Sequence, residues 1–190
     1  MNLFYLDSDL DKCAEYHVDK HVNKMILEAA QLLCTAIWVD QLLGFIPRAL
    51  NKEESAVLNE YKKIEKPLAP EERNLTPYLG MMYNHPCTIW TRSSKQHYDW
   101  LFRLFRMVSA EYSIRYSKEA FKVHTTWNKL GKILENLPKN IKDNGWTNPP
   151  QCMPDYCKKP DTVDAYRNYY LQEKAGFAKW NYTNQPKWWT

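Results

Sequence analysis

The chain has 190 residues, with 26 Lys+Arg against 22 Asp+Glu, a formal charge of +4, 14% aromatic residues and 5 glycines. That length suffices for one domain with a substantial core. So little glycine argues against an all-β fold with many tight turns, and neither a P-loop nor a G-x-G-x-x-G fingerprint occurs.

Charge is unevenly placed. Residues 1–117 hold 14 basic and 15 acidic side chains, and residues 118–190 hold 12 and 7. A basic C-terminal third interleaved with Trp and Tyr suits nucleic acid, through phosphate neutralisation and base stacking; a Lys-rich solvated surface is the plain alternative. The five cysteines, Cys13, Cys34, Cys87, Cys152 and Cys157, form no C-x-x-C pair. Cys152 and Cys157 lack a second pair of suitable spacing for zinc. The start, MNLFYLDSDLDK, has no long apolar run, and no segment reads as apolar enough to span a membrane. Reduced thiols in a cytoplasm are expected.

In chain order, Asn2–Leu6 is a short extended start. Asp7-Ser8-Asp9 caps a long helix running from about Leu10 to about Leu43, which stops near Gly44 and before Pro47. Residues 45–84 look like an insertion, with helical composition over Glu53–Lys66 and punctuation by Pro67, Pro70 and Pro77. A second long helix starts at NHPCTIW, with Pro86 at its first position and His85 or Asn84 as cap, and ends near Tyr116. A third spans about Lys118–Asn136. Residues 137–160 are irregular. Asp161 caps a fourth helix over about Thr162–Ala175. The expected fold is all-α, a single domain of about four to six helices with long irregular connections.

The first helix carries an unusual stripe. Stepping 100° per residue from His17 puts His21, Lys24, Glu28 and Gln31 within about 40° of it. Apolar residues flank the stripe on both sides, including Val22 and Met25 on one and Leu27 and Ala30 on the other. A solvated face is normally broad. A narrow polar stripe fits residues lining a cleft, where burying ionisable groups is costly unless they serve a network or a function. Two chemistries fit. Lys20 or Lys24 is a nucleophilic amine, with His17, His21 and Glu28 as acid–base partners and Asp19 on another face. Alternatively His17, His21 and Glu28 bind a metal, against which Lys24 would repel the cation.

On the second helix, His97 shares a face with Leu101, Leu104, Val108 and Tyr112 and reads as a core histidine. The opposite face carries Arg92, Lys95, Asp99, Arg103 and Arg106, a basic stripe that suits a phosphate backbone or solvent. His85, at a helix start, is a neutral donor or acceptor beside amides able to hold phosphate. In the last helix Arg167, Tyr169 and Tyr170, with Tyr166, put stacking surfaces next to positive charge. Trp188 and Trp189 read as pinning the tail to the core.

MNLFYLDSDLDKCAEYHVDKHV and NHPCTIWTRSSKQHYDWLFRLFRMVSAEYSIRY together resemble the pyrimidine-dimer DNA glycosylase family, the bacteriophage endonuclease V type. More closely, the phrases D-K-H-V-x-K-M-x-x-E, H-P-C-x-x-W and A-Y-R-x-Y-Y resemble small proteins of large tailed phages. The glycosylase resemblance implies a small all-α protein that binds damaged duplex DNA and flips a base without metal or cofactor. It also implies a repair enzyme in the cytoplasm of an infected bacterial host. In that family the nucleophile is the α-amine of an N-terminal Thr, helped by a Glu in the first long helix. Residue 2 here is Asn, so retained chemistry would pass to Lys20 or Lys24, with Glu15, Asp19 or Glu28 as the acid. The expected function is therefore an N-glycosylase/abasic-site lyase. The alternatives are a non-enzymatic nucleic-acid-binding or host-modulating protein and a metal-dependent hydrolase acting on nucleotides.

Overall fold

The computed structural model of the protein describes residues 2–118 and 120–189. Among these residues there are seven α-helices and no strand: α1 Leu10–Glu15, α2 Asp19–Leu43, α3 Lys52–Glu65, α4 Pro86–Ser93, α5 Lys95–Tyr116, α6 Thr125–Leu134 and α7 Thr162–Glu173. The all-α class matches the sequence. The helix count exceeds four to six because both long helices are broken.

The first break falls at Tyr16–Val18, where Val18 is extended (φ −61°, ψ 153°) and begins α2 without a side-chain cap. A continuous helix was expected because the apolar periodicity never lapses. Arg115, from α5, makes the interruption tenable. Its guanidinium donates to the carbonyls of Glu15 (2.6 Å) and His17 (2.8 Å) and to the carboxylates of Asp19 (3.0 Å) and Glu111 (2.6 Å). The orphan carbonyls at the end of α1 thus find a buried donor. Asp19 also accepts from the Asn181 amide (2.8 Å), and its own amide donates to the Lys179 carbonyl (2.9 Å).

The second break is at Ser94 (φ −153°, ψ 147°), which separates α4 from α5. The irregular segment 137–160 holds it open. The Asn144 amide donates to Ser94 Oγ (3.1 Å) and the Lys95 amide to the Lys142 carbonyl (2.9 Å). The third helix is shorter than expected, beginning with His124 as its cap; of the expected span 118–136, Glu119 lies outside the described residues. Asp9, His85 and Asp161 cap α1, α4 and α7 as their sequences suggest.

Helix α2 is the hub, packed against α3, α4, α5 and α6. Val22, Ile26, Ala30, Leu33 and Cys34 are fully buried. Val22, Ile26 and Leu33 each contribute about 1.5–3 kcal/mol by leaving water. By length and composition α2 could cross a bilayer, which corrects the reading that no segment is apolar enough; its most apolar window is 67% buried inside the fold. It ends at Gly44, whose φ of +79° favours glycine. The extended start lies in the core, with Leu3 and Leu6 buried. Residues 45–84 form a small second core in which Trp38, Val39, Leu50 and Leu58 meet. Gly80 packs closely there: a Cβ would stand 3.0 Å from the Trp38 ring, so the indole would have to give way.

Candidate functional site

The stripe does not share one environment. His17 is fully buried between α1 and α2; its Nδ1 lies 2.7 Å from the Cys13 carbonyl, and its Nε2 has no hydrogen-bond partner among the described residues. His21 is stacked on Phe4 (ring centroids 4.6 Å), and its Nδ1 lies 2.6 Å from the Tyr170 hydroxyl. Burial pushes the pKa of His17 down to about 4, with the Arg115 cation adding to it. Burial pushes His21 down to about 3, and the charges of His17, Lys174 and Lys24 push the same way. Both imidazoles are therefore neutral at pH 7. Lys20 is exposed and lies over the Phe177 ring at 5.3 Å.

Further along α2 the stripe reaches an edge. Lys24 is exposed, and its Nζ lies 3.2 Å from Glu28 Oε1. Glu28 is largely shielded, at 14% side-chain exposure, and its Oε2 accepts the Asn2 backbone amide at 2.7 Å. Of the three acids left open by the sequence, Glu28 alone meets residue 2. Asp19 is held by Arg115, and Glu15 lies 3.5 Å from the Thr183 hydroxyl.

Asn2 is a junction. Its Nδ2 donates to the Cys152 carbonyl (3.0 Å), its Oδ1 accepts from the Cys87 thiol (3.6 Å), and the Tyr166 hydroxyl stands 3.5 Å from the same oxygen. Tyr166 also donates to the Pro150 carbonyl at 2.6 Å. His85 is half-buried beside this group. Burial lowers its pKa, while the Glu28 charge acts in the opposite direction. Each of the three phrases that carry the phage resemblance thus sends a residue to one place: Glu28 from the first, His85 and Cys87 from the second, Tyr166 from the third.

His85, Cys87 and Cys152 bring one imidazole nitrogen and two sulfurs within 4.8 Å of one another. Sequence reasoning missed this group because Cys152 lies 65 positions after Cys87, and because the search was for paired C-x-x-C spacing. The only early signal was H-P-C itself. Among the described residues this is the one group of metal-ligating side chains so close together. His17, His21 and Glu28 form no such group, which corrects the metal alternative placed on them: a buried helix start separates both imidazoles from the edge where Glu28 sits.

The proposed phosphate contacts divide. Arg92 is buried, and it donates to the carbonyls of Ile46 (2.9 Å), Tyr83 (2.6 Å) and Arg48 (2.6 Å). Its guanidinium tethers residues 45–84 and leaves the basic stripe. Lys95, Arg103 and Arg106 remain exposed on α5. Arg167 is partly buried, donating to Asp7 (2.8 Å) and the Leu6 carbonyl (2.8 Å) beside the Trp188 ring. Tyr170 is buried against His21, and Tyr169 lies under the Lys174 ammonium at 4.4 Å. His97 is the core histidine expected, stacked on Trp90 and accepting the Thr147 amide (2.9 Å). Trp188 and Trp189 pack on Tyr16, Tyr170 and Trp180, pinning the tail. A separate apolar groove of about 530 Å³, lined by Ile114, Phe121, Val123 and Trp127 among others, shares no residue with the Asn2–Glu28 junction.

Comparison of the chain with protein-family models, with curated proteins and with solved structures finds no match.

Proposed function

We propose that this protein is an N-glycosylase/abasic-site lyase acting on a damaged or modified base in duplex DNA, through an amine held beside Glu28 and without a metal in the bond-breaking step. The observation that carries this reading is the position of Glu28, shielded between the Lys24 ammonium at 3.2 Å and the Asn2 amide at 2.7 Å.

In this chemistry the amine attacks C1′ of the sugar, and the base leaves with the bonding electrons. Glu28 takes the proton released by the amine, as a general base fixed by its own hydrogen bond. The nitrogen lone pair then opens the sugar ring, Glu28 returning its proton to O4′, and leaves a protonated Schiff base between the protein and C1′. Glu28 then accepts the C2′ proton, the C3′–O bond breaks, and water releases the product. His85, whose Nδ1 caps α4, is placed to hold a phosphate oxygen through its other ring nitrogen. The exposed Lys95, Arg103 and Arg106 supply cations for the backbone. His17 and His21, both buried and neutral, hold the helix that carries Glu28.

The test is cleavage of duplexes carrying an abasic site, a pyrimidine dimer or a modified pyrimidine, with and without borohydride, in EDTA and again with added zinc. Cleavage with a trapped protein–DNA adduct in either condition is the expected result, and peptide mapping of the adduct locates the amine. A gel shift with no cleavage in both conditions overturns the enzyme reading in favour of a binding protein.

A further inference from the structure

The cysteines at positions 87 and 152 have no role in the lyase chemistry, yet they are held with care. Cys87 is fully buried in the first turn of α4, which His85 caps through Nδ1 (3.2 Å to the Cys87 amide) and which Pro86 starts. Cys152 comes from the irregular segment. There the Cys152 amide bonds the Pro150 carbonyl (2.9 Å), and Gln151 grips Lys159 through two hydrogen bonds (2.7 and 3.2 Å). Tyr166 and Asn2 fasten the same loop from below. The two sulfurs lie 3.5 Å apart.

That spacing matches a coordination sphere. Zinc–thiolate bonds of about 2.3 Å at tetrahedral angles put two sulfurs about 3.8 Å apart, and a sulfur and an imidazole nitrogen about 3.6 Å apart. The three ligand atoms here already lie within 4.8 Å of one another, so separations need close by no more than about 1.2 Å to form the sphere. The donor set, two soft sulfurs and one imidazole, selects zinc over magnesium or calcium. The S–H···S contact makes Cys152 the readier thiolate of the pair, while sharing its proton pushes the Cys87 thiol up.

We propose that His85, Cys87 and Cys152 form a three-ligand zinc site with the fourth position open to water or to an incoming donor. Binding displaces one proton from each thiol to the buffer. The ion ties the irregular segment 137–160 to the start of α4 and, through Asn2, steadies the extended N-terminal segment that meets Glu28. The site shares His85 with the phosphate contact proposed above, but none of its ligands takes part in the bond-breaking steps assigned to Glu28 and the amine.

The experiment uses the full chain, reduced and stripped by chelator, titrated with zinc alone and in parallel with cobalt. One equivalent is expected to bind, with thiolate-to-cobalt charge-transfer absorption and the intense visible bands of a tetrahedral site. Cys152→Ser and His85→Ala should each weaken zinc binding at least about a hundredfold, since loss of an outer-sphere partner alone costs 10–100-fold. Cys157→Ser, a buried thiol outside the group, should leave the titration unchanged. Cys87→Ser is read only if its circular dichroism matches the parent, and the two half-buried positions carry the test otherwise. A reduced protein that takes up no zinc, or zinc uptake that survives Cys152→Ser, overturns the site, as does recovery of Cys87 and Cys152 solely as a disulfide-linked peptide. Zinc binding without DNA cleavage would leave this site standing and remove only the lyase; cleavage without zinc binding would do the reverse.

Discussion

His21 and Glu28 stand two turns apart on one face of α2, yet His21 lies under Phe4, Tyr170 and Phe177 while Glu28 reaches the edge where Asn2 and Lys24 meet it. The same helical stripe is packed into the core at its start and reaches the surface further on. The difference comes from what covers each turn. The extended N-terminal segment and α7 close over His17 and His21, and burial holds both rings neutral. At Glu28 the cover is a backbone amide on one oxygen and an exposed lysine on the other. An imidazole wedged among aromatic rings serves to fill space and satisfy neighbours.

The comparison breaks most sharply at Glu28 itself. Glu28→Gln keeps an acceptor for the Asn2 amide but removes the base, so cleavage of an abasic duplex should fall about 10²–10⁴-fold. Stability should shift by less than about 1 kcal/mol, because only a solvent-facing ion pair is lost. Single-turnover cleavage and thermal melting read the two numbers; a Glu28→Gln protein that cleaves at the parental rate would return the chemistry to another part of the stripe.

Arg115→Met tests the opposite end. It leaves the Asp19 carboxylate and the carbonyls of Glu15 and His17 without their buried donor, at an expected cost of about 3–5 kcal/mol in denaturant unfolding. A loss below about 1 kcal/mol would mean that the break between α1 and α2 does not depend on this arginine.

Acid should separate the two histidines from the rest. Their folded pKa values, about 4 and about 3, lie below the ordinary 6.5. The unfolded chain therefore binds more protons between those values. The stabilisation is complete above about pH 6.5 and is lost as pH falls towards 4, at up to about 1.4 kcal/mol per pH unit per histidine. Unfolding free energies at pH 7, 6 and 5 measure the slope. His21→Phe, which keeps a ring against Phe4, should flatten it by one group; an unchanged slope would assign the acid sensitivity elsewhere.

Tyr170→Phe is a smaller step. It leaves His21 Nδ1 buried without its hydroxyl partner, costing about 1–3 kcal/mol. The smallest effect belongs to Arg103 and Arg106. Replacing either with Ala should reduce the slope of log affinity for duplex DNA against log salt by about one, with no change in sequence preference. A slope unaltered by both would remove α5 from the proposed DNA surface.

Much of this was legible in the chain. Asp9, His85 and Asp161 announce their helices because capping is local, a side chain bonding an amide two or three residues on. His97 reads as a core histidine because its neighbours at helical spacing are apolar. The helix breaks were not legible. Val18 and Ser94 have no strong local signal, and the groups that stabilise the interruptions, Arg115 and residues 142–144, are distant in sequence. Arg92 shows the same limit: on a helical wheel it joins the exposed basic stripe, but the fold turns it onto three carbonyls of residues 46–83.

By itself the sequence determined the all-α class, the caps, the apolar faces and the presence of a polar stripe in the first long helix. These follow from the 3.6-residue period and from hydrogen bonds that close within a few residues. Only the tertiary structure decided which end of the stripe reaches an edge, which of three acids meets Asn2, and that Cys152 joins Cys87 and His85. Those outcomes depend on contacts between residues 26 to 150 positions apart, whose geometry is set by how the helices pack and where they break rather than by any local pattern.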